Sequence, residues 1–542
     1  MNVAQQIVKT LEARGLEFAF GVPGEENISL VTELEKSKKM TYLTCSDEQS
    51  ATFMAWMVGW LTGRPGLSIA TLGPGALNMS MAVADAMTHS FPLLAFSAQG
   101  PLESLNKETK QVVDLKEVYT PLTKFADYLY KPSSTSELIN KAYNEATDHR
   151  QGSVYIGVPS DFEREEAGEE VLVTPNENHY SVPSSSSIHE AAELIKGAMK
   201  PLIVAGLGAS RENVSSELKK FVDKHNLPIA TTYMAKGIVS EEHSNSLGVL
   251  GFLIDDYIDK ELSQYDLILT VGFDFSELGP DRLNPNMEKS IIHIHNYEQD
   301  THSHYPVSVN LIGQINETLI QLSNELADYT GPEINSNIRT QLNDELSIGG
   351  NSTEDSVLSL AQIIHATKEV IKEDDRILVD TGALKMWMAR LFPAKKLNQV
   401  MVNNAMSSMA WSIPGTIAAK LVEPNRRLVT MTGDGSFNMN SQELALAKKL
   451  NLPMTIVIWA DDGYELIKWK MEMTINESAG TSFENPDFTK IAEAYGGNGH
   501  VAKSRDHYEE VLRNSLEKQT GIDIIVVPMD YNLNYELTER LK

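Results

Sequence analysis

Residues 427–464 read RLVTMTGDGSFNMNSQELALAKKLNLPMTIVIWADDGY, and this stretch decides the fold. The apolar runs RLVTM and MTIVIW predict two strands, and the segment between them predicts a helix. A turn with an aspartate follows each run, GDG after the first and DDG after the second. Because parallel strands deliver their carboxyl ends to the same sheet edge, we expect Asp434 and Asp461 to converge although 27 residues separate them.

These two turns carry the residue types that a magnesium diphosphate site needs. Carboxylates and free carbonyls are ligands that Mg²⁺ accepts, and a glycine turn beside a helix N-terminus suits a diphosphate. Two solvated Asp-Gly turns are the simpler alternative, but matched strand ends favour the metal site. The predicted metal ligands are Asp434, Asp461 and the Gly463 carbonyl, with Gly433, Gly435 and Ser436 beside the diphosphate.

The whole chain, at 542 residues, exceeds one hydrophobic core, and strand-like and helix-like segments alternate along it. We predict an α/β protein with three doubly wound parallel-sheet domains, at 1–165, 188–328 and 356–542. The polar segments 163–187 and 328–355 are predicted as linkers, and a helix is predicted from about residue 356.

Charge and composition argue against several classes of partner and location. The net charge of −28 argues against nucleic acid and an anionic membrane, and no apolar run reaches the length of a membrane span. The first residues predict an amphipathic helix and not a signal peptide. Cys45 is the single cysteine, so no intramolecular disulfide can form, which favours a cytoplasmic location. We expect the Cys45 thiol to be buried and without a catalytic role, and a nucleophile is the less favoured alternative.

The order of strand, GDG turn, helix, strand and second acidic turn resembles the signature of thiamine diphosphate (ThDP) enzymes. ThDP makes and breaks bonds next to a carbonyl. It needs a partly desolvated carboxyl group at its pyrimidine ring to drive deprotonation of its thiazolium carbon. Glu48, which begins a helix after a buried strand, is the candidate for this catalytic role, and the alternative is a dipole partner in a first helical turn.

Longer motifs extend the similarity over nearly the whole chain. It resembles the ThDP-dependent acetolactate synthase family, and especially its smaller, catabolic-like forms. The motifs stand in the family's order: FGVPGEEN at 20–27, DEQSATFMA at 47–55, ATLGPGALN at 70–78, KPLIVAG at 200–206, NAMSSM at 404–409 and YELIKWK at 464–470.

The resemblance implies an N-terminal domain for the ThDP pyrimidine, a central domain and a C-terminal domain for the diphosphate and Mg²⁺. Met409 would force ThDP into its bent form, and the Ser407 carbonyl would accept from its amino group. Other implied cofactor residues are Gly24, Pro74, Asn78, Gly382, Ala383, Leu384, Tyr464, Glu465 and Leu466. The implied substrate residues are Lys110, Gln111, Ile467 and Lys470.

The implied activity is that of a ThDP- and Mg²⁺-dependent carboligase. It would decarboxylate a 2-oxo acid, pyruvate in the first instance, and join the enamine to a second 2-oxo acid or an aldehyde. A 2-oxo acid decarboxylase, a ligase with another acceptor and an inactive cofactor-binding partner subunit stay open. In this family the active site needs two subunits, so a homodimer is the implied minimal unit and a homotetramer the implied assembly.

Departures from the family pattern leave the acceptor open. Ser46-Asp47 stand where relatives have Arg-His, Lys110 replaces Phe, and Lys470 replaces Gln. FAD, which some relatives bind, is not expected, because the segment 272–277 lacks their arginines. The histidines, His89 among them, form no metal-ligand pattern, and the glycine fingerprint at 206–210 is too incomplete to support a nicotinamide dehydrogenase.

Overall fold

The structure, a computed structural model, describes residues 1–105, 107–174, 181–253, 256–351 and 356–541. Three sheets organise these residues, and every strand pairing within the sheets is parallel. Helices connect the strands, as parallel pairing requires. The predicted α/β class with three parallel-sheet domains is therefore confirmed.

The first sheet has the strand order β2-β1-β3-β4-β6-β5. Its strands are β1 (Phe18–Gly21), β2 (Thr41–Thr44), β3 (Gly66–Ala70), β4 (Leu93–Gln99), β5 (Phe125–Tyr128) and β6 (Ser153–Pro159). The accompanying helices are α1 (Val3–Ala13), α2 (Ile28–Lys36), α3 (Glu48–Thr62), α4 (Pro74–Thr88), α5 (Leu115–Tyr119) and α6 (Thr135–Thr147). Strands β3, β4 and β6 are buried throughout, which explains their continuous apolar runs.

The second sheet has the order β12-β11-β10-β7-β8-β9. Its strands are β7 (Pro201–Ala205), β8 (Ile229–Thr231), β9 (Ser246–Val249), β10 (Leu267–Val271), β11 (Ser290–His295) and β12 (Val307–Ile312). Its helices are α7 (Ser185–Gly197), α8 (Leu207–Arg211), α9 (Ser215–His225), α10 (Tyr257–Leu262), α11 (Pro280–Leu283), α12 (Ile315–Glu325) and α13 (Ile338–Ile348).

The third sheet has the order β13-β19-β17-β16-β14-β15, with β18 paired to β19. Its strands are β13 (Leu358–Ser359), β14 (Arg376–Val379), β15 (Val400–Val402), β16 (Leu428–Gly433), β17 (Met454–Ala460), β18 (Asn498–Val501) and β19 (Ile522–Asp530). The helices in this part of the sequence are α14 (Leu360–Val370), α15 (Ala383–Leu391), α16 (Ser412–Val422), α17 (Asp434–Asn440), α18 (Leu444–Lys449), α19 (Glu465–Ile475), α20 (Phe488–Ala494), α21 (Arg505–Lys518) and α22 (Asn532–Leu541).

The chain forms two compact units. The first contains the first sheet and its helices, together with residues 405–425 and 440–452. Within it, helix α16 packs on helix α3. The second unit contains the second and third sheets. The domain boundaries predicted from composition stay a prediction.

A helix begins at the end of the first predicted linker, and another lies inside the second. The serines of the first linker form the opening turn of α7, because the Ser184 side chain accepts from the Ser187 amide. Helix α13 lies inside the second, where Leu342 and Leu346 recur at helical spacing and are buried. The helix expected from residue 356 begins at residue 360, where Ser359 caps it. Parts of both linkers, 175–180 and 352–355, lie outside the described residues.

Among the described residues, no helix combines the length and the apolar character needed to cross a membrane.

Candidate functional site

Strands β16 and β17 lie side by side in register, with Gly433 opposite Trp459. Their carboxyl ends therefore place Asp434 and Asp461 together, and the Asp434 Oδ2 atom accepts from the amides of Asp461 at 3.1 Å and Asp462 at 2.8 Å. The amide of Gly435 donates to the other oxygen of Asp434 at 2.7 Å. The convergence expected from the sequence is present, and the role of these residues as ligands stays a prediction.

Asn485 completes this arrangement and was missed by the sequence analysis. Its Nδ2 atom donates to Asp434 Oδ2 and to Asp462 Oδ1, both at 2.7 Å. Asp434 and the neighbouring residues 461–463 are called the acidic turn below. The segment that carries Asn485 runs along this turn, because the Phe483 amide donates to the Asp462 carbonyl at 3.0 Å. The Asn-Pro pair at 485–486 signals a turn in the sequence, but it does not reveal which loop the turn contacts.

The electrostatics of this turn favour a bound cation. Burial and, to a smaller extent, the charge of the neighbouring Asp434 carboxylate together raise the pKa of Asp461 to about 8. The Asp461 Oδ2 and Ser436 Oγ atoms are buried without a hydrogen-bond partner among the described residues. An unpartnered carboxylate oxygen beside a second carboxylate fits a divalent cation, and the hydroxyl fits a phosphate oxygen.

No group of three or more His, Cys, Asp or Glu side chains in the described ranges has the spacing of a metal site. The predicted set needs only two carboxylates, since the Gly463 carbonyl and a diphosphate would supply the other oxygens.

Glu48 stands at the start of helix α3, where Asp47 caps the helix by accepting from the Ser50 amide at 2.8 Å. The Glu48 side chain is buried, at 9% exposure. Its Oε2 atom accepts from Asn78 Nδ2 at 3.0 Å, and its Oε1 atom lies 2.8 Å from where a Cβ on Gly75 would be. The carboxylate is thus partly desolvated and held in one direction, and its catalytic role stays a prediction.

Two further residues that the sequence analysis missed hold the start of this helix. Gln442 Nε2 donates to Asp47 Oδ2 at 2.6 Å, and the Ser46 amide donates to Glu443 Oε1 at 2.9 Å. Burial raises the pKa of Glu443 to about 7. Almost 400 residues separate each pair, so no local sequence signal indicates these contacts.

The loops around Glu48 approach each other through glycines. A Cβ on Gly24 would lie 2.5 Å from the Thr71 Cβ, and one on Gly73 would lie 2.4 Å from the Gln111 carbonyl oxygen. Gly73 also has a φ of 57°, a conformation that favours glycine. Pro74 begins helix α4 beside this contact, and Lys110 is exposed next to it.

The other predicted cofactor residues divide between the two units. In the second unit Gly382 precedes the buried residues Ala383 and Leu384, and the Leu384 Cδ2 atom lies 3.9 Å from a Cβ position on Gly433. Helix α19 begins directly after the acidic turn. The predicted residue before it is Tyr464, and those within it are Glu465, Leu466, Ile467 and Lys470, of which Ile467 and Lys470 are exposed. Ser407 and Met409 belong to the first unit.

The incomplete glycine fingerprint at 206–210 follows strand β7 of the central domain. There the buried Glu277 carboxylate accepts from the Leu207 amide at 2.7 Å and the Met234 amide at 3.1 Å. A carboxylate therefore already satisfies these two backbone donors, so they are not available to the diphosphate of FAD. That the protein binds no FAD stays a prediction.

Family models match the chain in three places. They are the N-terminal TPP binding domain of thiamine pyrophosphate enzymes at 1–118, the central domain at 188–322 and the C-terminal TPP binding domain at 380–527. The chain belongs to the ThDP-dependent, acetolactate synthase-like enzyme family. An acetolactate synthase of Bacillus subtilis (strain 168) is 28% identical over 543 residues, covering 98% of this chain and 94% of the relative.

Two further relatives of this ThDP enzyme have similar coverage. A catabolic acetolactate synthase of Raoultella terrigena is 26% identical over 536 residues, covering 98% of this chain and 95% of the relative. A putative thiamine pyrophosphate-containing protein YdaP of Bacillus subtilis (strain 168) is 26% identical over 538 residues, covering 97% and 91%. The prediction from the sequence motifs that the protein is a ThDP-dependent, carboligase-type enzyme is confirmed.

Proposed function

We propose that the protein uses ThDP and Mg²⁺ to decarboxylate pyruvate and to join the remaining two-carbon unit to a second 2-oxo acid or an aldehyde. The observation that carries this proposal is the buried, unpartnered Asp461 oxygen beside Asp434. When bound, ThDP supplies an acidic carbon that adds to a carbonyl and stabilises the charge left when CO₂ departs.

The acidic turn would hold the metal and the diphosphate. Asp434, Asp461 and the Gly463 carbonyl supply oxygens for Mg²⁺, which is the ligand type that this ion prefers. The buried Ser436 hydroxyl has no hydrogen-bond partner among the described residues, which suits a phosphate oxygen. Asn485 keeps Asp434 oriented by donating to its Oδ2 atom.

Glu48 would act as the proton-holding group at the pyrimidine ring. Its Oε2 atom accepts from Asn78, so Oε1 would be the oxygen that holds a proton towards the pyrimidine. Met409 would press on the cofactor to bend it, and the Ser407 carbonyl would accept from its amino group. These roles give each of the three residues one contact with the cofactor.

Lys110, Gln111, Ile467 and Lys470 are the proposed substrate residues. Lys110 and Gln111 adjoin the Gly73 loop, and Ile467 and Lys470 are exposed on helix α19. The two lysines suit the carboxylate of a 2-oxo acid acceptor. A homodimer is the proposed minimal active unit, a homotetramer the proposed assembly, and the cytoplasm the proposed location.

Product stoichiometry tests the proposal. The purified protein is incubated with ThDP, Mg²⁺ and pyruvate, and CO₂, acetolactate and acetaldehyde are measured together. One acetolactate and one CO₂ for every two pyruvates consumed would support the synthase. Acetaldehyde in place of acetolactate would show a decarboxylase, and no CO₂ from a panel of 2-oxo acids would show an inactive cofactor-binding subunit.

The variant Glu48→Gln separates catalysis from cofactor binding. It should bind ThDP within a few-fold of the wild-type affinity and lose turnover, because an amide cannot hold the pyrimidine proton. Glu137→Gln is the matched control, since Glu137 is also a carboxylate in a first helical turn. Equal activity losses in both variants would leave Glu48 with only the dipole role.

A further inference from the structure

The segment 405–411, which carries the proposed cofactor contacts, has an unusual backbone. Ser407 has a φ of 58° and Ala410 a φ of 69°, so two residues other than glycine occupy the left-handed region. Such conformations persist only where the surroundings hold them. One restraint is the side chain of Asn440, which donates to the Ala410 carbonyl at 2.7 Å.

A buried histidine restrains the beginning of this segment. His89, at 0% exposure, accepts from the Ala405 amide through Nε2 at 3.1 Å. Its Nδ1 atom lies 2.8 Å from the main-chain oxygen of Asp85 and 2.8 Å from the Asp85 carboxylate. Because Nδ1 lies beside these two acceptors and Nε2 accepts from an N–H, these contacts favour the tautomer with its proton on Nδ1.

The far end of the segment is restrained by the same aromatic cluster that surrounds His89. The Trp411 ring lies 5.5 Å from Trp56 and 6.0 Å from Trp60, measured between centroids. The His89 ring lies 5.4 Å from the same Trp56. The histidine therefore contacts the segment by a hydrogen bond at one end and through a shared tryptophan at the other.

We propose that Asp85 and His89 are positioning residues that hold the 405–411 segment in the conformation that bends the cofactor. Asp85 fixes the tautomer of His89, His89 fixes the Ala405 amide, and the restrained segment presents the Ser407 carbonyl and Met409. The inference rests on the proposed function, because it concerns the segment that is assigned to ThDP there.

Three variants test this arrangement. His89→Phe keeps a ring in the aromatic cluster but removes both nitrogens. His89→Gln returns an acceptor near the position of Nε2 and is the expected rescue. His225→Phe is the matched control, because His225 is equally buried, packs on Phe221 at 4.8 Å and has hydrogen bonds at both ring nitrogens, yet belongs to the second unit.

The first measurement uses the protein without cofactor and does not depend on the proposed function. Amide hydrogen exchange of 405–411, followed by mass spectrometry, should accelerate at least about tenfold in His89→Phe. It should stay near the wild-type rate in His89→Gln and His225→Phe. Unchanged exchange in His89→Phe would overturn the proposed restraint.

The second measurement uses the protein loaded with ThDP and Mg²⁺ and follows exchange of the thiazolium C2 hydrogen with deuterium by NMR. A misplaced segment should slow this step by about 100-fold in His89→Phe while ThDP affinity changes by less than about threefold. Normal C2 exchange alongside fast amide exchange would overturn the positioning role.

Absence of C2 exchange in the wild-type protein would instead refute the proposed function, and the amide result would still stand. If His89→Phe does not fold, His89→Asn replaces it. The shorter asparagine amide does not reach the Ala405 N–H, so it should behave as the broken variant beside His89→Gln.

Discussion

Replacing Gly75 with alanine should lower the activity of this protein without lowering its stability. A Cβ at this position would lie 2.8 Å from Glu48 Oε1, whereas ordinary contacts begin at 3.4 Å. The carboxylate must therefore retreat by about 0.6 Å, which displaces it from the geometry of its 3.0 Å hydrogen bond with Asn78. A displacement of this size at a catalytic group lowers kcat by roughly 10- to 100-fold.

The fold should tolerate the same substitution. The atoms in the way belong to side-chain ends, the Glu48 carboxylate and the Thr71 methyl at 2.9 Å, and no backbone needs to move. Alanine in place of glycine in a helix contributes up to about 1 kcal/mol of stability. We therefore expect an unchanged or slightly raised melting temperature together with the loss of kcat.

Steady-state CO₂ release and thermal unfolding measure the two effects. Gly197→Ala is the matched control, because a Cβ at the end of helix α7 meets nothing within 4 Å. The double variant Thr71→Ser/Gly75→Ala removes the threonine methyl and keeps the contact with Glu48. Wild-type kcat in Gly75→Ala, or full recovery in the double variant, would refute the argument that Gly75 sets the position of Glu48.

Three further variants have equally direct expectations. Asn485→Leu removes two hydrogen bonds from the acidic turn and should weaken Mg²⁺-dependent ThDP binding by about 10- to 100-fold in a fluorescence titration, whereas unchanged affinity would contradict its orienting role. Glu443 has a folded-state pKa of about 7 against an ordinary 4.5, so its stabilising contribution, about 3 kcal/mol, is complete below pH 4.5 and is lost as the pH rises through 7. The melting temperature of the wild type should therefore fall relative to Glu443→Gln between pH 5 and pH 8, and parallel curves would contradict the raised pKa. Lys236→Met should lower the free energy of unfolding in urea by about 3–5 kcal/mol, because it leaves the buried Glu241 carboxylate without its ion-pair partner. The double variant Lys236→Met/Glu241→Gln should recover most of this loss. Equal stability of the single and double variants would argue against a stabilising Lys236–Glu241 ion pair.

The sequence predicted those features that depend on neighbouring residues. The apolar runs RLVTM and MTIVIW form strands β16 and β17, which begin at residues 428 and 454. Helix α3 begins at Glu48 as expected, because Asp47 caps it. Asp434 and Asp461 converge because parallel strands end at one sheet edge. The three-sheet architecture follows from the same alternation of short apolar runs and helical segments.

Contacts between distant segments were not predictable in this way. His89 and Ala405 are 316 positions apart, and a lone histidine after an apolar helix gives no sign of an amide partner. Gln442 and Asn485 also depend on which loop the chain places beside them. Helix α13 was hidden for another reason, because its polar composition outweighed the spacing of its few buried residues.

The inclusion of residues 405–425 and 440–452 in the first compact unit has a consequence for synthesis on the ribosome. After residue 178 emerges, about 270 more residues must be translated before that unit has all its parts. At roughly 5–20 residues per second, this takes roughly 15–55 s. For most of that interval Trp56 and Trp60 lack Trp411, and the nascent chain presents an unfinished aromatic surface to chaperones. The first third of the gene thus encodes a sheet without encoding a complete folding unit.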